Sequence, residues 1–354
     1  MDYKPKANTN LWNEISQDSN RFEQSMDFLH RKQTGSYYTS MDLTLTMMQE
    51  LVDSLDDTAR KNLYSRTFFE PCVGTGNFVF AYLRVCKELA FSEEENLQLI
   101  NNIYACDINS GALSIYKANL KQFVAEYFGI ELSEEYFATH IGTGLVFDVA
   151  ADKIKYISIT DVFSADIIKN GFDIVITNPP FGSKTPVDDQ RVLHQYKIQK
   201  YGSASPRSSL PPEQLFVERC LDFLKPGGYL GIVLPDSILS NPGLIWLRDW
   251  IFTKAYIIAS IDLPQETFEP HTGTQTSILI LKKKTKEEEL RIDEYSIFMT
   301  IPEKVGHDKR GNPVYKITPD GEIEIDKSGN NIIDDDLQFI SDLFKKWIKE
   351  KGMV

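Results

Sequence analysis

Thr67-Phe68-Phe69-Glu70-Pro71-Cys72-Val73-Gly74-Thr75-Gly76-Asn77 carries a short apolar run through two closely spaced glycines into a helical pattern. Glycine lets the backbone turn tightly and approach a ligand with no Cβ in the way. Such a turn lies at the carboxyl end of a sheet strand, where open α/β sheets bind ligands. The rhythm then repeats. Further apolar runs occupy 103–107, 156–159, 172–177, 229–234, 257–262 and 276–281, with helical spacing readable at 77–90, 110–128, 213–224 and 243–253. Strands alternating with amphipathic helices make βαβ units. The expected fold is therefore α/β, a doubly wound, mostly parallel seven-stranded sheet covered on both faces. No helix separates the last two runs, which predicts that 276–281 returns antiparallel.

Outward from this core the pattern weakens. Leu11, Trp12, Ile15, Phe22, Met26 and Leu29 recur at helical spacing, so residues 1–34 read as an N-terminal helical arm closed by Gly35. Asp42 is placed to cap a helix over 43–55. The main domain is expected over 35–285. Within it, 183–212 is rich in Ser, Pro and Gly and reads as a long mobile loop. The run Lys282–Glu289 is a solvated connector into an extension, 286–354, with strand-like pieces at 295–301, 314–317 and 323–325 and a closing helix over 336–349.

Composition narrows the function classes. Among 354 residues, 42% hydrophobic and 25% charged are ordinary globular values, and no apolar run suits a membrane span. The N-terminus lacks a signal-peptide stretch, so a soluble cytoplasmic protein is expected. Cys72, Cys86, Cys106 and Cys220 show no CxxC spacing, and the five histidines show no ligand spacing, so no metal site is expected. The net charge of −13 is awkward for binding nucleic acid, which rests on Lys and Arg neutralising phosphates.

Three strand ends carry acids in series. After Glu70 in the glycine loop, the second run ends on Asp107, where a ribose diol would be held. The third closes with Asp161-Val162-Phe163, placing an acceptor for an adenine amino group beside an apolar side chain. Each acid taken singly also suits a helix cap. A dinucleotide remains an alternative ligand, but the full GxGxxG spacing is absent. Glu70 beside the loop favours a cationic ligand over a pyrophosphate, and S-adenosylmethionine, a sulfonium, meets that demand.

The fourth run leads into Asn178-Pro179-Pro180-Phe181. Successive prolines stiffen the loop and remove two donors, leaving the Asn178 side-chain oxygen and nearby carbonyls as acceptors. An exocyclic amino group is a poor nucleophile because its lone pair is delocalised into the ring. Two acceptors on its hydrogens would hold it with the lone pair facing an electrophile, so geometry and electrostatics replace a strong base. Phe181 offers a face for an extracted base.

With this loop the chain resembles the γ-class amino-group DNA methyltransferases of the N6-adenine type. The resemblance rests further on Gly35-Ser36-Tyr37-Tyr38-Thr39-Ser40 ahead of Gly74-Thr75-Gly76, on Tyr229-Leu230-Gly231-Ile232-Val233-Leu234-Pro235, and on Thr274-Gln275-Thr276-Ser277-Ile278-Leu279-Ile280-Leu281. The stretch from Ile301 to Pro313 is similar to the modification subunit of type I restriction-modification systems. The likeness spans roughly residues 35–315. It implies a Rossmann-like class I S-adenosylmethionine-dependent methyltransferase fold. It also implies that Tyr37, Tyr38 and Thr39 contact the methionine part of the cofactor, with Glu70, Gly74, Thr75, Gly76, Asp107, Ile108, Asp161, Val162 and Asn178 completing the pocket. Ser40 stands where the family carries Pro.

The implied substrate is double-stranded DNA, from which the target adenine must be extruded at a cost of roughly a few kcal/mol. About 70 residues follow Leu281, with at least as many acids as bases, which is small for a target-recognition domain. A separate specificity subunit is therefore expected, with a second copy of this chain and a restriction subunit as further possible partners. Lys184, Arg191, Lys197, Lys200 and Arg207 outweigh Asp188 and Asp189 in the loop after Phe181, making it the candidate DNA contact, with a solvated flexible loop as the alternative. Two other functions stay open: a protein glutamine N5-methyltransferase, which usually carries Tyr at the Phe181 position, and a catalytically silent methyltransferase-like assembly subunit.

Overall fold

A computed structural model describes residues 9–25, 37, 39–143, 148–150, 153–155, 171–181, 186–291, 293–326, 329 and 331–351. The expected strand at 156–159, the arm beyond Ser25, and the site residues Tyr38, Asp161, Val162, Phe163 and Lys184 lie outside them. In chain order the main elements begin with helices α1 (Thr9–Ser25) and α2 (Met41–Asp53), strand β1 (Phe68–Glu70), α3 (Asn77–Lys87), β2 (Ile103–Asp107), α4 (Ser110–Phe128) and β3 (Ile141–Thr143). A small pair, β4 (Asp148–Ala150) and β5 (Lys153–Lys155), precedes β6 (Phe172–Thr177), α5 (Pro212–Phe223), β7 (Leu224–Pro235), α6 (Ile245–Lys254) and β8 (Ala255–Asp262). The chain then adds β9 (Thr276–Lys283), β10 (Phe298–Thr300) and α7 (Leu337–Glu350).

The main sheet has the order β10-β8-β9-β7-β6-β1-β2-β3. Only β9 runs against its neighbours, as the missing crossover helix requires. Among the described residues the sheet has eight strands, six of them at expected runs, with the expected strand at 156–159 lying outside those residues. Its extra edge strands, β3 and β10, are three residues each, too short to show a period, and both pair parallel to their neighbours. From β1 the chain proceeds through β2 to β3 on one side and later resumes with β6 on the other. The carboxyl ends of β1 and β6 therefore flank a topological switch point, the place where such sheets open a crevice.

Each face of the sheet has its own core, because alternate side chains of a buried strand point opposite ways. Ile174 and Ile176 of β6 pack with α1 to α4 through Leu11, Ile15, Met47, Leu51, Phe80, Leu83 and Phe123. Val175 packs the other way, with Phe216 and Cys220 of α5 and Leu247, Trp250 and Ile251 of α6. Among the described residues no helix is long and apolar enough to cross a membrane.

Three local expectations change. The cap of α2 is Ser40, whose hydroxyl accepts from the Leu43 N–H, so Asp42 lies in the first turn instead. The extension beyond residue 285 shares the main core. One stripe of α7 (Leu337, Ile340, Phe344, Ile348) is buried there, and Phe298 meets Phe344 edge-on at 5.1 Å. Finally, the part of 183–212 that is described is built rather than featureless. Val187 bridges Leu210, short helical turns occupy Gln190–Leu193 and Lys197–Gln199, and Val192, Leu193, Tyr196 and Ile198 are buried. Turns this short show no periodicity in a sequence.

Candidate active site

The glycine loop leaves β1 at Glu70 and enters α3 at Asn77. Gly76 caps the helix at φ +100°, and a Cβ there would stand 2.4 Å from Cδ2 of Tyr116, so only glycine fits. The loop is hung on β2: Val73 N–H donates to the Cys106 carbonyl at 3.0 Å and Gly74 N–H to Oδ2 of Asp107 at 2.8 Å. Asp107 also accepts from the Asn109 N–H at 2.8 Å and from the N–H of Ile108, whose side chain is half-buried beside it. The Thr75 hydroxyl is taken up by Ser19 of α1.

Glu70 is 2% exposed and its Oε2 has no partner, although the carboxylate accepts from the Val79 N–H. Burial, and then the neighbouring Asp107, push the Glu70 carboxyl well above its usual range. Asp107 is raised by burial too, against the N–H groups that hold it. Two adjacent, desolvated acids at one loop are relieved by a positive charge. The residues present thus fit a cationic, ribose-bearing cofactor, with the buried Oε2 of Glu70, unpartnered among the described residues, as the observation that carries the fit.

Asn178 follows β6. Its Nδ2 donates to the Tyr37 carbonyl and to Oγ1 of Thr39, both at 3.0 Å. A carbonyl only accepts, so the amide orientation is set and Oδ1 must face the opposite way. There it is buried with no partner among the described residues. The Thr39 carbonyl in turn accepts from Nδ2 of Asn77 at 2.7 Å. The segment around Thr39 therefore ties the loop that begins at Asn178 to the first residue of α3. Asn77 was not among the residues expected at the site, although its place directly after Gly76 was the available signal.

Pro179 is buried and Pro180 half-buried. Phe181 does not offer an open face: it is fully buried, with Tyr37 at 5.3 Å and a 36° tilt and Phe268 at 5.7 Å nearly perpendicular. An extracted base would meet this ring only after Tyr37 gives way. Phe268 comes from the turn after β8, and no pattern in the sequence links it to the loop.

The expected DNA contacts divide. Lys197 and Lys200 are exposed. Arg191 is exposed but paired with Asp189, whose carboxyl it holds down at about 2. Arg207 turns inward instead. Nη1 donates to the carbonyls of Ile198, Gln199 and Tyr201 at 2.9, 3.3 and 2.8 Å, and the guanidinium sits 3.4 Å from the centre of the Trp246 ring. It staples the segment together, and Glu218 completes the anchorage by accepting from the N–H groups of Lys197 and Ile198.

This architecture, with its acid-lined glycine loop at the switch point, defines a class I S-adenosylmethionine-dependent methyltransferase fold. The chain belongs to the N-6 DNA Methylase family, whose model matches residues 22–352. It is 25% identical over 275 residues to the type II methyltransferase M.VspI of Vibrio sp. (strain 343), covering 77% of this chain and 53% of that protein. It is 30% identical over 117 residues to the type I restriction enzyme MpnII methylase subunit of Mycoplasma pneumoniae, covering 32% and 21%. The chain thus spans about half the length of the first relative and less of the second. Among solved structures, a modification subunit of a putative type I restriction enzyme from Vibrio vulnificus YJ016 superposes with a TM-score of 0.53 at 16% identity, covering 91% of this chain and 63% of that one. A putative class I S-adenosylmethionine-dependent methyltransferase from Listeria monocytogenes superposes with a TM-score of 0.54 at 14% identity, covering 85% and 75%.

Proposed function

We propose that the chain transfers a methyl group from S-adenosylmethionine to N6 of an adenine flipped out of double-stranded DNA. In this reading it is the modification subunit of a restriction-modification or related defence system, works in the cytoplasm, and takes its target sequence from a separate specificity subunit. A second copy of the chain and a restriction subunit are its further partners. The observation that carries the reading is the buried, unpartnered Oδ1 of Asn178, aimed by two hydrogen bonds on the other end of its amide.

When bound, S-adenosylmethionine supplies a methyl already activated as a sulfonium. Glu70 and Asp107 would hold the cofactor's positive charge and ribose beside the Gly74-Thr75-Gly76 turn. Tyr37, Tyr38 and Thr39 line its methionine end, while Ile108, Asp161 and Val162 line the adenine end. Asn178 Oδ1 accepts one N6 hydrogen and a carbonyl of the Pro179-Pro180 pair accepts the other, which turns the nitrogen lone pair toward the methyl. The acceptors are fixed before the base arrives, so little reorganisation remains for the transition state. The cofactor would give up the methyl to the nitrogen lone pair and keep the bonding electrons on sulfur, and the N6 proton would leave to water. Phe181 and Phe268 form the wall for the extruded base, and Lys184, Arg191, Lys197 and Lys200 approach the DNA backbone.

The test is methyl transfer from labelled S-adenosylmethionine to unmethylated genomic DNA, with and without a candidate specificity subunit. Wild type with the partner is expected to label adenine N6, and Asn178→Ala to fall by about 10²–10³-fold while still binding cofactor. Label on protein glutamine, or no label with cofactor bound, would overturn the DNA reading.

A further inference from the structure

Asn77 and Asn178 come from different strand ends and meet on one residue. Nδ2 of Asn77 donates to the Thr39 carbonyl at 2.7 Å, and Nδ2 of Asn178 donates to Oγ1 of Thr39 at 3.0 Å. A carbonyl only accepts, so the Asn77 amide, like that of Asn178, has a single permitted orientation. Its Oδ1 faces away from Thr39, on a side chain only 8% exposed, and finds no partner among the described residues.

Packing does not call for this residue. An apolar side chain would fill the place without leaving a buried acceptor unmet, which is costly. The neighbouring strand end sharpens the point. Glu70 accepts from the N–H of Val79, in the same first turn of α3, and its Oε2 is likewise buried and unpartnered among the described residues. Two orphaned acceptors therefore stand at the start of one helix, directly after Gly76 and tied to the segment around Thr39. What answers them must bring several N–H donors at once. An ammonium carries three on a single atom and no acceptor.

We propose that Asn77 is a further ligand-binding residue of this site, its Oδ1 accepting an N–H of the α-ammonium at the methionine end of S-adenosylmethionine, alongside Glu70. The proposal rests on that cofactor being the ligand. Thr39 is then shared between a cofactor contact and the Asn178 amide, so the two halves of the site are seated on one residue.

Equilibrium binding to the full chain tests this as a cycle of two proteins and two ligands. The proteins are wild type and Asn77→Ala, and the ligands are S-adenosylhomocysteine and its analogue lacking the α-amino group. Wild type is expected to prefer S-adenosylhomocysteine by at least roughly tenfold, the scale of a hydrogen bond to a charged group. Asn77→Ala is expected to weaken S-adenosylhomocysteine by about tenfold and to leave the analogue almost unaffected. Should the alanine variant fail to fold, Asn77→Ser, too short to place an acceptor where Oδ1 stands, carries the same expectation. Equal losses for both ligands, as a merely structural role at the start of α3 would give, would overturn the proposal. So would a wild type that does not distinguish them. Failure of wild type to bind S-adenosylmethionine or either probe would instead overturn the cofactor reading.

Discussion

At Asn178 one amide serves two purposes because its ends differ chemically. The nitrogen is spent on Tyr37 and Thr39, and the oxygen is left buried without a partner among the described residues, free for the ligand of the proposed function. Gly76 is constrained as tightly, by both its φ of +100° and the Tyr116 ring. Gly76→Ala is expected to cost several kcal/mol, of the order seen for overpacking combined with left-handed strain. A fall in Tm and loss of cofactor binding would register it, and an unchanged Tm would mean that the ring is free to move. The Asn178 loop and the glycines are legible in the sequence because proline and glycine act through local backbone geometry. Phe268 and Asn77 are not, since their roles depend on neighbours remote in the chain.

Elements show where burial overrides local signals. On α2, Glu50 is fully buried with both carboxylate oxygens unpartnered, and burial followed by Asp53 pushes its pKa up to about 8, against a lowering pull from Lys345 of α7. The folded state then holds a proton that the unfolded chain gives up near the ordinary Glu value of 4.5. The stability it contributes is complete below about 4.5 and is lost as pH rises toward 8. Glu50→Gln is therefore expected to leave Tm unchanged at pH 4.5 and to raise it at pH 8, by an effect on the order of a few kcal/mol. A Tm difference that does not vary with pH would refute this. The 186–212 segment teaches a related lesson about Arg207. Composition places a cation at DNA, yet three carbonyls and an indole hold it inside. Arg207→Ala is expected to lower stability by about 2 kcal/mol, from charge-assisted hydrogen bonds partly open to solvent. It should leave the salt dependence of DNA binding almost unaltered.

Over the whole molecule, a net charge of −13 makes long-range attraction to DNA unfavourable, so the proposed function requires positive charge that acts locally or comes from a partner. Among the residues expected at DNA, Lys197 and Lys200 are exposed and stand on the anchored segment that follows the Asn178-Pro179-Pro180-Phe181 loop. The double variant Lys197→Ala, Lys200→Ala is expected to flatten the slope of log K against log salt by up to about 2, since each phosphate contact contributes roughly 0.9. Unchanged slopes in the complex with the specificity subunit would assign the DNA grip to that partner.

The sequence by itself determined the α/β class, the antiparallel return of β9, the glycine loop with its acids and the Asn-Pro-Pro-Phe turn. Each follows from short-range rules: apolar period, glycine freedom and proline rigidity all act within a few residues. Only the tertiary structure decided that the segment beyond residue 285 closes on the main core through Phe298 and Phe344. It alone turned Arg207 back onto the carbonyls of its own segment, covered Phe181 with Tyr37 and Phe268, and bound Thr39 to both Asn77 and Asn178. These outcomes depend on which distant side chains share a desolvated space. There an unmet charge or donor costs more than any local preference can repay.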